Sequence, residues 1–193
     1  MIIGSKNKGK IEEIIKISEK YGLKYDFQTC NDLSIPEIIE NGNSFAENSI
    51  IKASEIFKLY GKPVITDDSG LCVDFLKGFP GIFSSRYSGG GDSKNISKLL
   101  IELKNIPAEK RQAKFFCSVC YCFDYNSYVV FSGEIHGIII DERRGENGFG
   151  YDPVFYLPQY KKTMAELSSQ DKNSISHRAQ AFDKLFKYLS EKF

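Results

Sequence analysis

The sequence predicts a single α/β domain spanning residues 1–193. Three observations carry this. Short apolar runs of strand character alternate with segments of helical spacing. The 193 residues are 41% hydrophobic and 26% charged, enough apolar content for one sizeable core. No repeat, low-complexity tract or linker interrupts the alternation.

Met1–Ile3 reads as a short strand. Ile11, Ile14, Ile15 and Ser18 follow helical spacing, Glu12 and Lys16 can pair one turn apart, and Gly22 stops this helix. Ser44-Phe45-Ala46-Glu47 is a capping box. The helix it opens turns Ala46, Ile50, Ala53, Ile56, Phe57 and Tyr60 inward and ends at Gly61 and Pro63. Val64 and Ile65 read as the end of a buried strand, with a sharp turn at Gly70 and a further strand at Leu71–Phe75. Gly78–Asp92 is a glycine-rich loop long enough to signal function or disorder. Ile96, Leu99, Leu100 and Leu103 mark a helix closed before Pro107. Ala113–Phe123 and Tyr128–Ile140 form a hairpin about Asp124–Ser127. Thr163–Glu166 is a second capping box, and Ser176 caps a last helix with Phe182, Leu185, Phe186 and Leu189 facing inward.

A net charge of +1 argues against wholesale nucleic-acid wrapping, so an anionic ligand must be met by locally gathered lysines. No apolar run approaches membrane-spanning length, and Met1-Ile2-Ile3-Gly4 lacks the apolar stretch of a signal peptide. Five cysteines without a secretory signal predict reduced thiols in the cytoplasm. Cys117 and Cys120 have the spacing of a metal or redox pair but lie in a predicted strand, where positions three apart face opposite sides. They read as core cysteines.

Asp67 and Asp68 stand where the apolar run Val64-Ile65 stops. Two carboxylates there are costly unless a proton or cation answers them, and a hard divalent metal is one answer. A plain Asx-rich turn is the other. Gly4-Ser5-Lys6-Asn7-Lys8-Gly9-Lys10 precedes the first helix and forms an anion site, with backbone N–H groups aimed at the ligand and Lys10 adding charge. It has Walker A spacing, but Ile11 stands where a P-loop needs Ser or Thr. Glu40 has no capping duty and could reach a metal near Asp68. In Gly148-Phe149-Gly150-Tyr151-Asp152-Pro153 the glycines let Phe149 lie against a planar ligand, while Asp152 accepts from a base edge or holds the turn. His177 and Arg178 place cations in the first turn of the last helix, against its dipole, which with Lys172 suggests service to a ligand.

Each motif alone is ambiguous, but the ordered set is specific. Ser5-x-Asn7-x-x-Lys10, Glu40 ahead of Ser44-Phe45-x-Glu47-Asn48, Asp67-Asp68-Ser69-Gly70-Leu71, Pro80–Gly89, Gly148–Pro153 and Ser176-His177-Arg178 closely resemble the inosine triphosphate pyrophosphatase, or Ham1-like, family over nearly the whole chain. The resemblance implies an elongated α/β domain around a long mixed sheet, with two lobes, a substrate cleft between them and usually a homodimer. It implies Mg²⁺-dependent hydrolysis of ITP, dITP and XTP to the monophosphate and pyrophosphate, which cleanses the nucleotide pool. Carried over by motif, Ser5, Asn7 and Lys10 would hold the triphosphate. Glu40 and Asp68 would bind Mg²⁺, with Asp68 also acting on the attacking water. Ser69 would touch substrate and Phe149 would stack on the base. Gly150 and Tyr151 belong to the same nucleotide-binding run, and Asp152, Lys172, His177 and Arg178 would bind nucleotide, the last two at the 6-oxo face. Lys6, Lys8, Asn147 and Ala179 depart from the family pattern. Asp67 reads as a support that orients the loop or a lysine, with Lys10 the expected partner. A non-catalytic nucleotide-binding module and a P-loop NTPase stand as competing readings, opposed by the Glu40–Asp68 set and by Ile11.

Overall fold

A computed structural model describes residues 1–23 and 26–192. A seven-stranded mixed sheet runs in the order β2-β1-β3-β4-β5-β6-β7. These are β1 (Ile2–Ile3), β2 (Gln28–Thr29), β3 (Val64–Val73), β4 (Gln112–Asp124), β5 (Ser127–Ile139), β6 (Phe155–Leu157) and β7 (Lys162–Thr163). β1 lies parallel to β2 and β3, whereas β6 is antiparallel to β5 and β7. The helices are α1 (Lys8–Glu19), α2 (Phe45–Tyr60), α3 (Asp92–Glu102), α4 (Ser169–Ile175) and α5 (His177–Lys192). The predicted α/β class and β4–β5 hairpin are present. The short strands β2, β6 and β7 and the seven-residue α4 carry too few residues for a periodic signal.

Contacts divide the chain into two compact units, Met1–Asp68, Cys117–Gly133 and His177–Phe193 in one and Ser69–Phe116 with Glu134–Ser176 in the other. In the first unit, the register pairs Ile2 with Val64 and Ile3 with Ile65. Alternation then sends these pairs to opposite faces. Ile3 and Ile65 pack with Ile14 and Ile17 of α1 and Phe182 and Leu185 of α5. Ile2 and Val64 pack with Ile35 and with Ile56 of α2. Cys117 and Cys120 obey the same rule, one among the α1/α5 cluster and the other beside Ala53 of α2. All five cysteines are unbridged, as expected. The second unit centres on Leu71, Val73, Leu99, Phe115, Val154, Phe155, Leu157 and Met164.

One sequence expectation needs correction. Gly70 does not turn the chain, because β3 continues through it to Val73. A Cβ there would lie 2.4 Å from Ser84 Oγ and 2.5 Å from the Gly81 carbonyl, so this glycine permits a close approach inside a strand. The approaching segment is a 3-10 turn, Gly81–Arg86, which gives regular structure to part of the long glycine-rich loop. Asn95 of α3 donates to the Ser84 and Ser85 carbonyls and accepts from Ser88 N–H, tying that loop down. The second capping box is formed as expected and opens the single turn Met164–Glu166. Among the described residues no helix is long and apolar enough to cross a membrane.

Candidate active site

The period-two geometry of β3 sorts its two aspartates. Asp67 shares the face of Ile65, toward α1 and α5, and Asp68 the face of Thr66, whose hydroxyl donates to the Ser49 carbonyl of α2. Asp67 is 3% exposed and its Oδ2 accepts from Lys10 Nζ at 2.7 Å. Arg178 Nε lies 3.7 Å from the same oxygen, and Arg178 Nη1 donates to Glu13 Oε2 at 2.7 Å. Burial alone would raise the Asp67 carboxyl, but Lys10, Arg178 and Lys52 outweigh it and hold it well below the usual carboxylate range. Asp67 is the support expected from sequence, and Lys10 is its partner.

The apparent misplacement of Arg178 has an internal explanation. Its guanidinium is almost fully buried at the start of α5 and is met by Glu13 and Asp67. Opposed carboxylates therefore offset the unfavourable helix-dipole position. His177 is buried beside it.

Asn7 caps α1, its Oδ1 accepting from Lys10 N–H at 3.1 Å, and Ser5 Oγ accepts from Asn7 N–H at 3.2 Å. The first turn of α1 contains no acid. An uncompensated helix start flanked by Lys8 and Lys10 is suited to an anion.

Asp68 Oδ2 accepts from Asn48 Nδ2 at 2.9 Å. Burial pushes the Asp68 carboxyl up, as do Glu40 and Asp67, against the lowering effects of Asn48 and Lys52. Glu40 takes no part in the cap of α2, and its Oε1 pairs with Lys52 Nζ at 2.9 Å. Lys52 also donates to the Asp67 carbonyl at 2.9 Å. Burial would lower the Lys52 ammonium, but Asp67, Glu40 and Asp68 outweigh it and raise it, so it stays cationic. Sequence reasoning gave no role to Lys52 or to Asn48. The available signal was two polar residues one helical turn apart, beside the apolar stripe of α2.

Glu40 and Asp68 supply oxygen donors of the type Mg²⁺ prefers. No cluster of three or more His, Cys, Asp or Glu that could hold a metal stands among the described residues. Mg²⁺ is commonly held by one or two carboxylates, with water and substrate phosphates completing its shell, so this donor set fits it.

The second unit holds the aromatic group. Gly148 has φ +83°, and a Cβ there would lie 2.1 Å from Asp152 Oδ2. Asp152 Oδ2 accepts from Phe149 N–H at 3.0 Å and from Lys172 Nζ at 2.6 Å, and the Asp152 and Lys172 side chains are both buried. Asp152 thus holds the turn. Lys172 Nζ sits 4.9 Å from the centre of the Phe149 ring, which is 37% exposed. Asp92 accepts from Gly150 N–H at 2.7 Å, and the Tyr151 hydroxyl donates to the Ser84 carbonyl. Ser69 follows Asp68 in β3 and is half-buried.

A mixed α/β sheet, a cationic helix start and a buried acid–base cluster define a protein of the phosphate-handling kind. The chain belongs to the Ham1 family, whose profile matches residues 1–188. It is 43% identical over 198 residues to a dITP/XTP pyrophosphatase of Bacillus cereus, covering 100% of this chain and 96% of that protein. It is 46% identical over 194 residues to a dITP/XTP pyrophosphatase of Bacillus licheniformis, covering 99% and 98%. Among solved structures, it resembles a HAM1 protein from Coxiella burnetii with a TM-score of 0.91 and 39% identity, covering 98% of each chain. The Ham1 protein of Staphylococcus aureus gives a TM-score of 0.89 and 40% identity, covering 100% and 99%.

Proposed function

We propose that this chain is a cytoplasmic nucleoside triphosphate pyrophosphatase. It hydrolyses dITP, XTP and ITP to the monophosphate and pyrophosphate and so removes deaminated purines from the nucleotide pool. The full-length relatives named as dITP/XTP pyrophosphatases support the substrate class. One observation carries the chemistry: the Lys10–Asp67 pair seats the cationic start of α1 against the strand position next to Asp68. The phosphate-binding element is thereby fixed to the residue that precedes the carboxylate base in β3, the two aspartates facing opposite sides of the strand.

In this reading Ser5, Asn7 and Lys10, with the N–H groups at the start of α1, hold the triphosphate. Glu40 and Asp68 hold Mg²⁺, which when bound neutralises phosphate charge and favours deprotonation of water. Asp68 takes the proton of the water that attacks the α-phosphorus. Lys52 keeps Glu40 in place, and Asp67 keeps Lys10 and Arg178 in place. Phe149 stacks on the base, Ser69 and the Gly150–Asp152 backbone line the nucleotide, and Lys172 holds Asp152. His177 and Arg178 read the 6-oxo face. Donors aimed at O6 would face adenine's amino group unpaired, which disfavours ATP. The whole chain acts as one catalytic domain and works as the homodimer that the family resemblance implies.

A hydrolysis panel of ITP, dITP, XTP, GTP and ATP with Mg²⁺ and product identification tests this reading. The expected result is pyrophosphate from the first three and little turnover of ATP. Orthophosphate as the first product, or preference for ATP, would overturn it.

A further inference from the structure

Two side chains of α2, one turn apart, each join the same two segments. Lys52 bridges Glu40 Oε1 and the Asp67 carbonyl. Asn48 bridges Gly42 and Asp68, its Oδ1 accepting from Gly42 N–H at 2.9 Å and its Nδ2 donating to Asp68 Oδ2 at 2.9 Å. Asn48 is fully buried, so its carboxamide has no bulk water to replace a lost partner. The two duties also set its orientation: only one way round gives an acceptor to the N–H and a donor to the carboxylate. The Gly42 backbone is close against it, since a Cβ there would lie 2.8 Å from Asn48 Oδ1.

We propose that Asn48 is a positioning residue for the metal site, setting the rotation of the Asp68 carboxyl and the placement of the loop that carries Glu40. It acts through Asp68 and the Gly42 backbone. This rests on the reading above that Glu40 and Asp68 bind Mg²⁺. A hydrogen-bond partner behind a ligating carboxylate selects which oxygen is presented and at what angle, and loss of such partners costs about 10–100-fold in metal affinity or activity. The structural alternative is that Asn48 merely satisfies Gly42 N–H. The geometry favours positioning, because its second bond goes to the carboxylate that the reading makes catalytic.

The test measures Mn²⁺ binding to the substrate-free protein by electron paramagnetic resonance, with thermal melting run alongside. Asn48→Ala should weaken Mn²⁺ binding by about tenfold or more. Asn48→Asp retains the acceptor for Gly42 N–H and replaces the donor with a like-charged group against Asp68, so it should lower the melting temperature and move Mn²⁺ binding about tenfold from the wild-type affinity. The second variant keeps the test decisive if Asn48→Ala fails to fold. Wild-type Mn²⁺ affinity in a folded Asn48→Asp protein would overturn the proposal. Asp68→Asn and Glu40→Gln serve as reference variants. If these lose Mn²⁺ binding while the Asn48 variants keep it, the positioning role alone fails. If they too bind as wild type, the metal reading fails and the proposal with it.

Discussion

Lys10 Nζ and Asp67 Oδ2 meet at 2.7 Å across 57 residues of chain, the lysine at the start of α1 and the carboxylate buried in β3. Arg178 approaches the same oxygen from α5. One carboxylate thus ties together three elements, and its removal leaves two cations in a dry setting.

Asp67→Asn should therefore destabilise the fold by about 3 kcal/mol, the scale of removing one member of a buried pair. Urea unfolding followed by circular dichroism measures it. A loss under about 0.5 kcal/mol, the range of ordinary surface substitutions, would show that the cluster contributes little.

The same carboxylate predicts a pH dependence. Its folded value lies well below that of the unfolded chain, about 3.9. Folding therefore favours the ionised form. The resulting stability is complete above the unfolded value and is lost as the pH falls below about 4 toward the depressed folded value. Urea midpoints between pH 7 and 3 should drop at the acid end for the wild type. The Asp67→Asn protein should show a shallower drop over the same window.

Asp68→Asn should lower turnover of dITP at least on the order of a hundredfold, the scale of losing acid–base help. Steady-state kinetics at saturating Mg²⁺ decide it. Turnover near wild type would remove Asp68 from the chemistry.

Phe149→Ala should raise KM for dITP about fivefold with kcat little changed, the size of one aromatic stacking contact of about 1 kcal/mol. An unchanged KM would place the base elsewhere. The ring is partly exposed and its contact with Lys172 is worth about 0.5–1 kcal/mol, so melting should fall only slightly.

Gly148→Ala should lower the melting temperature by at least about 3 °C, since a side chain at positive φ costs about 1 kcal/mol or more in a chain of this size. The new methyl also meets Asp152 Oδ2, so KM for dITP should rise with it. Wild-type melting and KM together would mean that the Phe149 turn tolerates displacement.

Much of this site was legible from local rules. Helix starts were legible at Ser44 and Thr163, because a capping side chain bonds within three residues. Glu47 reached one residue further than expected, accepting from Asn43 N–H. The inward faces of α2 and α5 followed from helical spacing. Gly70 was misread because the local sequence could not show that Ser84 would press on it. The partner of Glu40 was not legible because Lys52, not adjacent in sequence, answers its charge.

By itself the sequence determined the α/β class, the order of the motifs and the opposed directions of Asp67 and Asp68. These depend on backbone period and capping, which act over a few residues. Only the tertiary structure decided which partners those directions would meet. Lys10, Arg178 and Glu13 on one face, and Asn48, Lys52 and Glu40 on the other, arrive on separate elements. Their pairing follows from sheet register and from packing α1, α2 and α5 against it, and no local spacing encodes that. The balance of burial and charge that lowers one carboxyl and raises its neighbour exists only once those elements are packed.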